Sequence, residues 1–229
     1  MSGDRSKPDL TFVRLIHQSL RIDGTRLAAA IASLAPGDRP GRLPGIRAFF
    51  GQYRDQLDMH HSHEDELFFP ALAARAGTDR THLGELAAQH QALDRAVQAV
   101  GEALTALADP AGDFAIDRAN AASALSAMTR LLDTHLTLEE QTVLPLIESD
   151  MPVAEYKELE IKARNATPRP QARFLIPWLV AHATADQRKA LFRSAPPLRF
   201  AYWLNRRQYR RFDHALPRPA ELSPRRQQP

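Results

Sequence analysis

Cysteine is absent from all 229 residues. That excludes disulfides, thiolate metal sites, iron–sulfur clusters and cysteine nucleophiles. Any bound metal must be held by histidine, carboxylate or water. Missing disulfides fit a cytoplasmic protein. Long hydrophobic runs are also missing. The longest apolar patch is around FLIPWLVA at 174–181, too short to span a bilayer. The opening MSGDRSKPDL has no apolar core of signal-peptide type. Valine and isoleucine are sparse, while alanine is abundant at 27–35 and 87–127, a balance that favours helices over strands. The expectation is a soluble, cytoplasmic, all-α protein with no transmembrane segment.

Hydrophobic residues make up 44% and charged residues 25%, enough of each for a folded core and a solvated surface. The net charge of +3 is unevenly spread. Residues 1–149 carry 14 Lys+Arg against 20 Asp+Glu, and residues 150–229 carry 16 against 7. That shift places a boundary near Ser149–Pro152. Before it, helical periodicity predicts four segments, roughly Asp9–Leu34, Gly45–Arg75, Thr81–Ala108 and Asp117–Glu148. APGDRPGRLPG, at 35–45, reads as a loop, and Gly77 as a helix stop. Four such helices with short loops predict an up-down-up-down four-helix bundle over 9–149. Pro70 and Pro145 should kink or end their helices. Residues 150–214 form a basic extension, with short helices expected at EYKELEIKAR, ADQRKALFRSA and PLRFAYWLNRRQYRRFDHAL. Residues 215–229 read as a disordered tail.

The two helix pairs look like copies. His17-Gln18-Ser19-Leu20 matches His90-Gln91-Ala92-Leu93 at an offset of 73. His60, Glu64, Asp65 and Pro70 match His135, Glu139, Glu140 and Pro145 at an offset of 75. Duplication of a helical hairpin is the simplest explanation.

Residues four apart on a helix lie about 40° apart around its axis. His60 and Glu64 therefore share a face, as do His135 and Glu139. Tyr53 and Leu57 continue the first stripe backward, so it faces the core. His17 lies among Val13, Ile16 and Leu20, and His90 among Leu86, Leu93 and Val97. A bundle would bring four imidazoles and two carboxylates inside. Buried unpaired carboxylates cost several kcal/mol or shift their pKa, on the order of the penalty for any desolvated charge. A cation removes that problem. Six N/O donors without sulfur suit iron, manganese or zinc, and the repeat suits two metals.

The pieces LIHQSLR, HHSHEDELFFP, AQHQAL and THLTLEEQTVLP resemble the hemerythrin-like (HHE cation-binding) family over about residues 9–148. The resemblance implies a four-helix bundle around a di-iron centre bridged by oxo or carboxylate groups, with manganese or zinc as secondary candidates. It makes His17, His60, His90 and His135 terminal ligands, and Glu64 and Glu139 bridging carboxylates. Two departures stand out. Oxygen-carrying hemerythrins have a second histidine four residues after the helix-three histidine, where this chain has Asp94. They also use an aspartate five residues after the helix-four histidine, where this chain has Glu140. These differences imply more reactive chemistry than reversible O2 carriage.

His61 is a further candidate ligand, with a partly exposed histidine as the alternative. His63 has a similar rim position, and the sequence assigns His82 no role. Asp65, Glu66 and Glu140 read as groups that orient ligands or face solvent. Tyr53 is a candidate catalytic phenol, against a core tyrosine with a locally paired hydroxyl. Trp178 and Trp203 read as packing anchors of the extension. The arginines of RFAYWLNRRQYRRF allow a solvated basic face, a membrane-surface contact or a nucleic-acid contact. The functional expectation is a non-haem di-iron protein reacting with peroxide, dioxygen or nitric oxide, an oxidoreductase of catalase-like or nitric-oxide-handling type. An iron- or oxygen-responsive sensor, or a metal-storage module, is the alternative.

Overall fold

The computed structural model describes residues 7–75 and 80–218. It is all-helical, with no strand among the described residues. The helices are α1 (Thr11–Ala32), α2 (Arg39–His63), α3 (Phe69–Ala73), α4 (Arg80–Ala108), α5 (Phe114–Asp150), α6 (Val153–Ala166), α7 (Arg169–His182), α8 (Ala185–Ser194) and α9 (Pro197–Asp213). A 3-10 turn at Pro36–Asp38 precedes α2, and a π-helical turn at Glu64–Phe68 joins α2 to α3. Gly77 and residues 219–229 of the expected disordered tail lie outside the described residues.

The segment read as a loop at 35–45 is mostly helical. Pro40 lies in the first turn of α2, where a missing N–H costs no hydrogen bond, and Pro44 is carried inside the helix. Leu43 and Ile46 are buried and draw the segment into the core. Tertiary burial here outweighs the local breaker signal.

The two matched prolines behave differently. At Pro70 the backbone widens into the π turn, in which the Phe69 N–H bonds the Glu64 carbonyl. At Pro145, α5 continues to Asp150. Pro145 and Gln141 both face solvent, so the carbonyl that the proline leaves free is open to water. Asp113 caps the start of α5 by accepting from the N–H groups of Ala115 and Ile116 at 2.9 and 3.1 Å.

α1 packs on α2 and α5, α4 packs on α2 and α5, and the four close a ring. Two apolar clusters fill it. The larger contains Leu20, Leu27, Phe49, Leu57, Leu93, Val100, Leu125 and Leu132. The smaller contains Leu10, Phe69, Leu72, Leu86, Val143 and Ile147. On α2, α4 and α5 the chain passes from one cluster to the other through His60, His90 and His135 respectively. A polar layer thus separates two apolar compartments.

The extension shares the larger cluster. α7 packs on α1, α2 and α9, burying Phe174, Trp178 and Leu179. Full burial of such side chains stabilises by about 1.5–3 kcal/mol each. A buried polar knot adds to the seam. Asp23 accepts from Arg26 at 2.7 Å and from Trp178 Nε1 at 2.6 Å, and lies 2.9 Å from His182 Nε2. Arg26 also pairs with Asp213 at 2.8 Å. Burial pushes the Asp23 carboxyl up, but His182 and Arg26 outweigh it and hold it below the usual range. Of the two expected anchors, Trp178 is buried, while Trp203 is 61% exposed. Trp203 sits on the solvent face of α9, whose inner face is taken by Tyr209 and Phe212 against Phe174.

Candidate metal centre

Seven side chains meet in the polar layer. His17, His60, Glu64 and Glu139 each present one ligand atom within 4.8 Å of the others, and so do His61, His90 and His135. All seven are buried. The sequence-derived residues His17, His60, Glu64, His90, His135 and Glu139 are therefore brought together, and His61 joins them.

Helical spacing explains the first group. His60 near the end of α2 and Glu64 at the start of the π turn stand one turn apart, their Nε2 and Oε1 atoms 3.1 Å apart. His17 Nε2 approaches Glu139 Oε2 to 3.2 Å. His61 enters because α2 has two neighbours in the ring. His60 turns toward α1, its ring 5.0 Å from that of His17. His61 turns toward α4 and stacks on His90 at 4.0 Å. Glu64 faces both groups: Oε1 lies by His60 and Oε2 lies 3.4 Å from His90 Nε2.

The outer edges of three rings are tied down. His17 Nδ1 lies 2.9 Å from Glu140, His90 Nδ1 lies 3.0 Å from Asp65, and His135 Nδ1 lies 3.3 Å from Gln89. A ring that donates from Nδ1 turns the Nε2 lone pair inward. The inner atoms are the reverse. His17 Nε2, His60 Nε2, both nitrogens of His61, Glu64 Oε2, His90 Nε2, His135 Nε2 and Glu139 Oε2 are buried without a hydrogen-bond partner. Close approach without hydrogen-bond alignment is the arrangement of donors aimed at a common point.

Electrostatics agree with that arrangement. Burial, then the neighbouring imidazoles, hold His60 and His61 well below the ordinary histidine value. Burial also brings His135 down to about 4, against the pull of Glu139. These rings are neutral and able to donate a lone pair. Burial would lower His17 too, but Glu139 and Glu140 raise it to about 9. Glu64 is pushed well above the carboxylate range by burial and the Glu139 charge. Two carboxylates buried side by side do not both ionise without a cation.

The other residues lie apart. Tyr53 is buried, but its hydroxyl donates to the Leu20 carbonyl at 3.2 Å. That is the local pairing of a core tyrosine, and it leaves the phenol no proton to offer the site. Asp94 lines a groove between α2 and α4 and belongs to neither group. His63 is half-buried and outside both groups, Glu66 faces solvent, and His82 pairs loosely with Glu85 at 3.9 Å. The groove has a volume of about 710 Å3 and reaches His61 and His90 past Phe50, Asp58 and Val97. Sequence reasoning did not single out Gln89, whose place just before His90 was the one available signal.

An all-helical protein with a buried histidine–carboxylate cluster that could hold metal cations is what fold and site define together. The family model of the hemerythrin HHE cation-binding domain matches residues 9–147. The chain belongs to that family. No curated protein and no solved structure matches it. No described helix is long and apolar enough to cross a membrane.

Proposed function

We propose that this is a non-haem di-iron protein that binds and reacts with a small oxidant: peroxide, dioxygen or nitric oxide. The observation that carries the reading is the set of seven buried residues with unpartnered inward atoms. Each such group costs about 1–3 kcal/mol if left unsatisfied. Seven together cost as much as the whole stability of a typical domain, about 5–15 kcal/mol. A pair of cations relieves all of them at once. Five imidazoles and two carboxylates without sulfur suit iron, with manganese and zinc as secondary candidates.

His17, His60, Glu64 and Glu139 would hold one metal, and His61, His90 and His135 the other. Glu64 faces both groups, which supports a bridging role, and Glu139 would assist on the first side. Bound iron would supply the redox change. The chain's own part is to orient the rings through Glu140, Asp65 and Gln89, to exclude bulk water with two apolar compartments, and to admit a small molecule along the α2–α4 groove. The order in which α1, α2, α4 and α5 pass between those compartments supports an up-down-up-down bundle over 9–149, with 150–214 as an extension packed on it. The oxidoreductase class, catalase-like or nitric-oxide-handling, and a cytoplasmic setting complete the proposal.

The deciding experiment is metal content per chain, by elemental analysis of protein from iron-supplemented cells purified without chelator. About two irons per chain, the count of a paired site, with the count lowered in His60→Ala and in His135→Ala, would be followed by stopped-flow kinetics with peroxide and nitric oxide. A folded protein that retains no metal overturns the proposal.

One observation favours a second reading, an iron- or oxygen-responsive sensor. Gln18, next to His17, donates to the His182 carbonyl at 2.6 Å, so a candidate ligand adjoins the seam with the extension. The sensor reading requires that metal protect the extension from protease. Equal cleavage with and without metal counts against it.

A further inference from the structure

We infer that α9 is a membrane-surface docking helix that recognises anionic phospholipid. The inference stands on the outer face of α9 and does not depend on the metal reading.

Phe200, Trp203 and Leu204 are 67%, 61% and 61% exposed. The other large exposed hydrophobics among the described residues, Ile116 and Ile161, stand singly on α5 and α6. The α9 trio is spaced i, i+3, i+4 and forms one patch. Its exposure does not come from a helix lacking a packing face. Tyr209 is buried, and its ring lies 5.3 Å from that of Phe174 on the opposite side. α9 is anchored by one face and presents the other.

The charge beside the patch is of one sign. Arg199, Arg206, Arg207, Arg210 and Arg211 make no ion pair with a described residue. The single acid of α9, Asp213, is taken by Arg26 at 2.8 Å. Arg207 and Arg211 continue the Phe200–Leu204 line at i+7 and i+11, about 5 and 10 Å beyond Leu204 along the axis at 1.5 Å per residue. That offset matches an apolar end sunk about 5–10 Å to the acyl boundary with cations left at the phosphates. A groove of about 400 Å3 between α7, α8 and α9 is lined by Arg188, Arg206 and Arg210 together with Val180, Phe192 and Tyr202, and by Asp213, which is paired with Arg26. Three arginines among apolar walls suit a lipid phosphate.

Other occupants fit less well. A second copy would set five arginines against five. A nucleic acid would meet the arginines but offers no apolar place for Leu204. A phospholipid surface satisfies the apolar trio and the cations together, and tryptophan favours that interface.

The test is co-sedimentation of the full chain with vesicles of phosphatidylcholine mixed with phosphatidylglycerol, and with phosphatidylcholine alone. Binding is expected only to the mixed vesicles, weakened by salt, with Trp203 emission moving to the blue. Phe200→Ser/Trp203→Ser/Leu204→Ser should bind at least about tenfold more weakly, from the loss of buried apolar area. Arg207→Gln and Arg211→Gln should each weaken binding about fivefold. All these positions are exposed, so unchanged circular dichroism and Tm are expected. The inference is overturned by an absence of binding at low salt, or by binding that the serine variants leave intact. It is also overturned by self-association through this face without vesicles, or by tighter binding to a nucleic-acid duplex than to vesicles.

Discussion

Glu140 on α5 lies 2.9 Å from Nδ1 of His17 on α1, which leaves Nε2 of that ring to face the buried carboxylates. Arg21 grips the same carboxylate at 2.6 Å. Burial pushes Glu140 up, but His17 and Arg21 outweigh it and hold it at about 2. The expected outcome of Glu140→Gln is a metal affinity lower by about 10–100-fold with the fold intact, as for other partners of metal-bound histidines. Chelator competition measures it, and unchanged affinity would remove Glu140 from any orienting role.

His61→Ala separates the two groups of donors. On the proposed assignment, elemental analysis should find the metal of the His17, His60, Glu64 and Glu139 group retained, and the other weakened or lost. If His61 lies idle in the site, the variant will keep full metal content.

Asp23→Ala should destabilise the protein by about 3–5 kcal/mol, the usual cost of leaving a buried partner charge behind. Denaturant unfolding reads the loss. Limited proteolysis should show the extension, which Asp23 ties through Trp178 and His182, cleaved first.

Tyr53→Phe removes the hydrogen bond to Leu20. A loss of about 1 kcal/mol in stability is expected, with metal content and oxidant kinetics unchanged. A large fall in rate at constant metal content would reinstate the phenol as a reacting group.

Glu160 on α6 supplies a pH test remote from the metal layer. Burial, then the Asp9 charge, raises it to about 7 against Lys157 and Arg164. Below the unfolded carboxylate value, about 4.3, both states are protonated and the shift contributes nothing. As pH rises toward 7 the unfolded chain ionises first, so this group lowers stability. Glu160→Gln should raise Tm at pH 8 and leave it unchanged at pH 4, a contrast that thermal scans at the two pH values decide.

Much of the site was legible because its chemistry recurs. His60–Glu64 and His135–Glu139 share a spacing that survives in any helix, and the duplicated pattern ties His17 to His90. His61 was harder to place. A helical wheel sets it about 100° from His60, which looks like the rim until α2 is seen between two neighbours. The π turn at Glu64–Phe68 had only Pro70 as a warning. The seam with the extension was not legible. Asp23 and Arg26 sit on the apolar stripe of α1 between Leu20 and Leu27, and their partners come from distant α7 and α9. Proline density at 35–45 pointed to a loop, and burial of Leu43 and Ile46 overrode it.

The orienting carboxylates are exchanged between the two hairpins. Asp65 of the first steadies His90 of the second, and Glu140 of the second steadies His17 of the first. A lone ancestral hairpin would carry every donor type yet leave its own first histidine unsteadied. Competence for metal would then require two hairpins together, as separate chains or as one. Fusion of the gene would have preserved a partnership already written into the ligands.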